Sequence, residues 1–597
     1  MKLIGKVIIF AAMLALAVAG PGFSKSQPKP KVAQVTFMGN DSYAESRLES
    51  LMLTRPSRFL ATSRFHPDVF QDDLATLISF YRQNGFLQAL ISDTSVVFDS
   101  LNNQVDIAIR IEEGNRTYVE GVTIFGNDFI VDSAVMQKIN IRKSDPLRRP
   151  LIEDAVISML SLYAEHGFLD ATVTPQVQIN DTMHLALIDF ACHEGLSSQV
   201  GRIELSGGEK TRSNVILREL SFHVGDTVKF SELLRSQRRL YLTGLFESVF
   251  VRPLPLDLGD SNERTILIEI KEIPSTELSF SIGYGTVGRV RGRIELNNLN
   301  LAGSARKAGI RLEANFIKQG VSLSFSEPWT LGTRWKTDFS VFGILKQEPA
   351  YHSESIGGKL TFGHKLGRYT NISTSYRHEN TNISQIDLSV PLDETDPQIR
   401  SLTLNISYDN RDNLFDPSTG WYANWSNEIA GSFLQGSDTF AKSVVNVKRF
   451  HPLGRNTVVG SAIELGWMDA FGKSEEIPIN ERFYAGGPTS LRGFGYQMVG
   501  PLDSNGQPIG GQFKLIWNLF ELRKSVYRMM GMVLFVDAGN VWQRLEDVRI
   551  SDVRVNIGTG LRANSPLGIL RLDCGINLDR QSSEPGVKIF FSVGQAF

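Results

Sequence analysis

Cysteine is nearly absent from this chain: Cys192 and Cys574 stand far apart in 597 residues. Two isolated thiols exclude a disulfide framework. Neither has a metal ligand at useful spacing, so both read as small buried hydrophobes. An excess of one charge is also missing. The 62 Lys and Arg residues against 64 Asp and Glu give a net charge of −2, which excludes the basic surplus of a general nucleic-acid binder. Nine histidines are scattered: His166 lies at a helix-end corner and His193 beside Glu194, neither with a second ligand at zinc spacing. Gly-x-Ser-x-Gly and Walker-type loops do not occur. Asp409-Asn-Arg-Asp-Asn413 has the acidic spacing of a calcium loop but lacks its glycine and closing glutamate, and reads as a strand end or turn. No catalysis, cofactor or metal is expected.

Long apolar runs are missing as well. No segment after the N-terminus offers 18 uninterrupted apolar residues, so spanning helices are excluded. The N-terminus itself carries Lys2 and Lys6, an apolar run from Val7 to Ala19, and Ala17-Val18-Ala19 before Gly20. That is the pattern of a secretory signal peptide over residues 1–19. No cysteine follows it, so a lipid anchor is not expected. Residues 20–31 form a polar, proline-containing linker. An exported chain without spanning helices is either soluble or crosses a membrane as a closed β-barrel.

What is present begins with a threefold repeat. Short strands end at glycine in Val35-Thr-Phe-Met-Gly-Asn40, Val122-Thr-Ile-Phe-Gly-Asn127 and Ile203-Glu-Leu-Ser-Gly-Gly208. Helices close on aromatic corners in Tyr81-Arg-Gln-Asn-Gly-Phe86, Tyr163-Ala-Glu-His-Gly-Phe168 and Tyr241-Leu-Thr-Gly-Leu-Phe246. Acidic stops follow at Ile111-Glu-Glu-Gly114, Cys192-His-Glu-Gly195 and Ile270-Lys-Glu-Ile273. A unit of roughly 80 residues is one supersecondary bead of an array. The corner glycine is read as a helix C-cap and the next Phe as a plug onto the sheet. With a second amphipathic stretch, such as Asp132 to Ile139, the order is β-α-α-β-β, a small α+β domain. The irregular third copy predicts a different packing partner.

From about residue 275 helical periodicity gives way to alternation. Leu278-Ser-Phe-Ser-Ile-Gly-Tyr-Gly285, Val321-Ser-Leu-Ser-Phe-Ser326 and Leu402-Thr-Leu-Asn-Ile-Ser-Tyr408 place small polar residues on one face and bulky apolar ones on the other. This is the wall of an all-β antiparallel transmembrane barrel between lipid and a wet lumen. Residues 275–597 suffice for about 16 strands. The last strand ends on Phe597, with Val593, Phe591, Ile589 and Val587 on its face at i, i+2 spacing. It must pair with the first strand, because an open edge in lipid is prohibitive. The expected seam joins Glu277–Thr286, carrying Phe280 and Ile282, to Pro585–Phe597, where Gly594 packs nothing and weakens its strand.

Within the barrel, Tyr484-Ala-Gly-Gly-Pro-Thr-Ser-Leu-Arg-Gly-Phe494 is the most specified loop. Its glycines and proline set the backbone path, and Arg492, always charged, needs an acidic or aromatic partner.

Together these features resemble the outer-membrane assembly family of BamA and TamA type, which has periplasmic POTRA modules followed by a 16-stranded barrel. The resemblance spans the mature chain, with modules at 32–114, 115–195 and 196–274 and the barrel at 275–597. Gly486-Gly-Pro-Thr-Ser-Leu-Arg-Gly-Phe494 resembles the family's inward-folded loop, with Leu491 in a Val-Arg-Gly-Phe-type tip. Phe535-Val-Asp-Ala-Gly-Asn-Val-Trp542 resembles the receiving strand, and Gly558-Thr-Gly-Leu-Arg562 with Leu570-Arg-Leu-Asp573 the following hairpin. The resemblance implies a lock in which Arg492, Gly493 and Phe494 enter the lumen and Arg492 meets Asp537 and Phe535. Relatives add an acidic residue on the preceding strand; here Leu515-Ile-Trp-Asn518 has no carboxylate until Glu521.

The resemblance further implies an outer-membrane location and a lateral seam through which client β-barrel or autotransporter-type chains enter lipid by strand addition. The implied partners are outer-membrane lipid, unfolded outer-membrane protein clients, periplasmic chaperones, accessory lipoproteins and an inner-membrane partner. Three modules lean toward the TamA type over the general insertase. A two-partner secretion pore of the same superfamily has two modules and a plug helix, for which residues 20–31 are too short. A passive porin or transporter has no use for three modules.

Overall fold

The computed structural model describes residues 29–57, 63–255, 262–384, 396–527, 529–565, 568–581 and 584–593. The signal sequence, most of the linker, Gly594 and Phe597 lie outside the described residues. The chain forms two compact units. One runs through Glu204 and includes Ser221–Arg235 and Arg252–Leu267; the other comprises Leu205–Leu220, Ser236–Val251 and Ile268 onward.

Each repeat follows the β-α-α-β-β order. The first comprises β1 (Lys31–Met38), α1 (Glu45–Glu49), α2 (Pro67–Gln83), β2 (Leu90–Asp99) and β3 (Gln104–Glu112). The second comprises β4 (Tyr118–Phe125), α3 (Asp132–Met136), α4 (Arg149–Glu165), β5 (Thr172–Asn180) and β6 (Leu185–His193). The third comprises β7 (Gln199–Ser206), α5 (Ser213–Leu217), α6 (Phe230–Leu242), β8 (Phe246–Pro253) and β9 (Glu263–Glu272). In each sheet the last strand lies in the middle, parallel to the first in the first two repeats.

The repeated sequence signatures have a common physical basis. At the first corner, Phe86 N–H reaches Tyr81 O at 3.1 Å and Gly85 N–H reaches Arg82 O at 3.3 Å, the paired bonds of a glycine-terminated helix. Gly167 takes φ +91° and packs against the following repeat. A Cβ there would lie 2.8 Å from both Ser197 Oγ and Thr227 Cγ2. The acidic stop is a clasp. Glu113 accepts Ser42 N–H at 3.0 Å and Tyr81 O–H at 2.9 Å. Glu194 accepts Phe129 N–H at 3.0 Å, and Glu272 accepts Thr211 N–H at 2.8 Å and its hydroxyl at 2.6 Å. Each carboxylate thus satisfies backbone donors in the loop that leads to the first helix.

In the third copy this clasp is joined to the barrel. Thr211 Oγ1 also accepts from Asn300 Nδ2 at 2.9 Å, and Arg212 donates its N–H to Gly303 O at 2.9 Å and its Nε–H to Ala302 O at 3.0 Å. Trp329 donates to Glu219 at 2.7 Å between the guanidinium groups of Arg218 and Arg334. The irregular third copy therefore packs on barrel turns.

Sixteen strands make one antiparallel sheet in sequence order. They are β10 (Thr276–Gly285), β11 (Arg289–Leu301), β12 (Arg306–Ala314), β13 (Lys318–Glu327), β14 (Lys336–Gln347), β15 (His352–Leu366), β16 (Thr370–Ser384) and β17 (Gln398–Asp409). They continue as β18 (Gly420–Ala430), β19 (Phe440–Gly454), β20 (Thr457–Ala470), β21 (Phe513–Tyr527), β22 (Met530–Trp542), β23 (Arg554–Ser565), β24 (Gly568–Asn577) and β25 (Val587–Val593). Alternation sets the faces, as the barrel pattern requires. Leu278, Phe280, Ile282 and Tyr284 are exposed on the outer face of β10. Asp409 and Arg411 pair in the turn between β17 and β18, where Asp412 accepts the Ser418 and Thr419 N–H groups. Both cysteines are half-buried, not buried as expected: Cys574 lies on wall strand β24, paired with β23 and β25, and Cys192 near the end of the central strand of its small sheet.

Candidate functional site: a lumen lock and a short seam

The connection between β20 and β21, residues 471–512, folds into the lumen and builds a hydrophobic core there. Phe483, Ala485, Leu491, Phe494 and Val499 pack with Met468, Ile516 and Val541 of the wall. This apolar packing carries Arg492 to a position of zero exposure.

Arg492 donates from Nε to Asp537 Oδ2 at 2.9 Å and from Nη2 to Asp537 Oδ1 at 2.7 Å, while its backbone N–H reaches Oδ2 at 3.2 Å. Its third nitrogen, Nη1, binds Glu521. The guanidinium carbon lies 3.5 Å from the centroid of the Phe535 ring. Asn518 and Asn556 donate to the two Asp537 oxygens at 2.8 and 3.1 Å. The fork of Arg492 is thus matched bidentately to one carboxylate and singly to another, which is geometry lysine cannot reproduce.

The receiving wall approaches the loop backbone closely. A Cβ on Gly575 would lie 2.4 Å from Arg492 O, and one on Gly493 would lie 2.5 Å from Asn556 Cβ. Phe494 sits beneath the Arg554 guanidinium at 4.8 Å. Further pairs surround the lock: Arg523 binds Glu521 at 2.7 Å, Arg562 binds Asp573 at 2.6 Å and Arg571 lies 3.1 Å from Asp573. Every buried charge here has an opposite neighbour, as burial demands.

The structure brings Arg492, Gly493, Phe494, Phe535 and Asp537 into one cluster. Glu521, left without an assigned role by the spacing of Leu515–Asn518, joins them because Leu519 is a bulge. Pairing passes from Asn518–Asp537 to Phe520–Val536, skipping one residue. A one-residue slip reverses the faces beyond it, so Phe520 points outward and Glu521 is fully buried.

A second anchor was not found in the sequence. Glu481, in the same inward loop, binds Arg377 of β16 at 2.9 Å and lies 3.5 Å from Lys442 of β19, while Arg377 also binds Glu428 of β18 at 2.8 Å. In the sequence Glu481 follows Glu475 and Glu476 and looks like a solvated acidic run. The loop therefore spans the lumen, with an anion seated on one wall and a cation on the other.

At the seam, β10 and β25 share no ladder among the described residues. Thr286 N–H donates to Phe591 O at 3.0 Å, Phe591 N–H donates to the Thr286 hydroxyl at 2.7 Å, and the Tyr284 and Phe591 rings lie 6.1 Å apart. Ile589 is 61% exposed on the outer face, with Phe591 and Val593 half-buried on the same face. Continuing the Thr286–Phe591 register antiparallel sets Tyr284 opposite Val593 and Ser592 opposite Gly285. No group of His, Cys, Asp or Glu residues able to hold a metal occurs among the described residues.

Comparison with known proteins agrees with this architecture. Residues 300–597 match the Omp85 superfamily domain. Residues 30–114, 117–195 and 198–272 match the POTRA unit, described as a surface antigen variable number repeat. The chain is 23% identical over 587 residues to the outer membrane protein assembly factor BamA of Nitratidesulfovibrio vulgaris, covering 95% of this chain and 73% of that protein. It is 23% identical to BamA of Neisseria meningitidis serogroup B, covering 95% and 78%. The crystal structure of BamA from Haemophilus ducreyi lacking POTRA domains 1–3 shares the fold, with TM-score 0.69 at 19% identity over 80% of this chain and 99% of that one. The chain belongs to the outer-membrane assembly family of BamA and TamA type, with its barrel in the outer membrane and its POTRA repeats in the periplasm.

Proposed function

We propose that this protein assembles other β-barrel proteins into the outer membrane by opening the seam between β10 and β25. The observation that carries this reading is the contrast in strand pairing. Fifteen junctions are strand ladders, whereas among the described residues the backbone hydrogen bonds joining β10 to β25 are those between Thr286, just past β10, and Phe591. An unpaired strand edge is a template for another strand. A client strand placed on β10 would complete hydrogen bonds that lipid cannot satisfy. Client insertion needs no nucleotide on this account, because burial of client apolar surface drives it. The POTRA repeats offer periplasmic docking for unfolded clients, chaperones, accessory lipoproteins or an inner-membrane partner. The same relatives, both described as outer membrane protein assembly factors, support the assembly role.

The lumen loop supports this reading over a passive porin. Residues 471–512 place a packed hydrophobic cluster inside the barrel and are anchored on two walls, which disfavours an open conduit. Depletion of the protein in its native cell, followed by quantitative proteomics of the outer membrane, tests the proposal. Broad loss of barrel proteins with lethality is the result for a general insertase, and loss of a few in viable cells that for a TamA-like specialist. Loss of one secreted substrate alone overturns the assembly reading in favour of a secretion pore.

A further inference from the structure

Arg571 holds both the lumen loop and the seam strand with one side chain. It lies on β24, is 1% exposed, and pairs across the ladder with Ser592 of β25. Its Nε donates to Ser592 Oγ at 2.8 Å and its Nη2 donates to Pro488 O, in the tip of the loop, at 2.6 Å. Asp573 holds the guanidinium from the side, 3.1 Å from Nε, and is itself bound by Arg562 at 2.6 Å. Ser592 is the neighbour of Phe591, the residue that meets Thr286 across the seam.

We propose that Arg571 couples seating of the lumen loop to closure of the seam. The inference rests on the reading that the β10–β25 seam opens. The physical reason is that the loop tip both covers the guanidinium and accepts one of its hydrogen bonds. If the loop tip withdraws, Nη2 loses the Pro488 carbonyl and the side chain can turn into the vacated lumen, where water solvates it better than its buried site does. Turning releases Ser592, and with it the strand position that aligns Phe591 with Thr286. The converse holds when a client strand pulls β25 from β10. Ser592 moves, Arg571 follows, and the loop tip loses its anchor. The Arg492 lock and the seam are then two ends of one switch, and Arg571 is the positioning residue between them.

The test uses purified full-length protein with Cys192 and Cys574 replaced by serine and spin labels on Tyr284→Cys and Val593→Cys. Dipolar broadening in continuous-wave electron resonance, which reads spin pairs this close, measures the distance across the seam. Ser592→Ala removes the bond to the seam strand without burying a new charge, and Arg492→Ala unseats the loop. Each single change is expected to add a population at least one strand spacing, about 5 Å, beyond the parent distance. The double variant is expected to look like the singles, because both act through one link. An unchanged distribution in Ser592→Ala overturns the proposal, and so do additive effects in the double variant. Arg571→Leu should match Ser592→Ala; if it does not fold, Ser592→Ala still decides. The readout needs no client, so it stands apart from the proteomic test of function.

Discussion

Arg492 and Glu521 meet because Leu519 is one residue too many for its strand. Without that bulge the alternation starting at Asn518 would turn Phe520 into the lumen and Glu521 toward lipid. With it, the loop arginine gains a second carboxylate and the wall keeps its apolar outer face.

Deleting Leu519 and Phe520 together is therefore expected to be far more damaging than deleting Leu519 alone. The double deletion reverses every face from residue 521 to the end of β21, placing Glu521 and Arg523 outward in lipid, whereas loss of Leu519 alone leaves a regular alternation with Glu521 inward. Heat-modifiable migration should be lost in the double deletion and kept in the single one. Equal migration of the two would show that the bulge does not set the face.

Arg492→Ala should destabilise the barrel by about 3–5 kcal/mol, the cost of leaving buried carboxylates without their partner. Arg492→Lys should recover only part of it, because an ammonium cannot bridge Asp537 and Glu521 bidentately. The repeats should stay folded. Thermal unfolding with complementation in the depleted cell checks this, and wild-type behaviour of the alanine variant would remove the lock.

A covalent bridge across the seam should stop assembly. Ser281 and Ser592 are out of register, since Thr286–Phe591 sets Ser592 opposite Gly285. Tyr284→Cys with Val593→Cys follows the observed register. Oxidation, or a short thiol crosslinker, is expected to block client insertion reversibly. Crosslinked protein that still supports assembly would exclude lateral opening.

Acid should loosen the joint between the third repeat and the barrel. Burial pushes the Glu272 carboxyl up, but hydrogen bonds from the Thr211 hydroxyl and from the Lys210 and Thr211 N–H groups outweigh it and hold the group below its ordinary value. A lowered carboxylate contributes stability above its unfolded value, about 4.3. That stability is lost as pH falls through the folded value. The amide protection factor at Thr211, exchange relative to the unfolded chain at the same pH, should therefore fall on acidification below that unfolded value. In Glu272→Gln the exchange should be faster at neutral pH and no longer show this acid limb.

Much of the architecture could be read before folding. Strand-ending glycines, aromatic corners and acidic stops mark three repeats because each performs a local backbone task. The period-2 alternation after residue 275 marks the barrel because lipid and lumen impose it. The pairing of Arg492 with Asp537 and Phe535 was reached through a resemblance, on motifs carried by the loop and its receiving strand. Glu481 and Arg377 escaped notice, because 104 residues separate them and nothing local distinguishes either from a solvated charge.

The sequence alone determined the order of modules, the face of each regular strand and the need for a partner at Arg492. These follow from nearest-neighbour sterics, from periodicity and from the cost of burying charge. Only the tertiary structure decided that Glu521 joins Asp537 at Arg492, how the third repeat meets the barrel turns, and that the seam hangs on Thr286 and Phe591. A single bulge or a shift of register redirects whole faces, and that choice is made by contacts between strands hundreds of residues apart, as between Thr286 and Phe591.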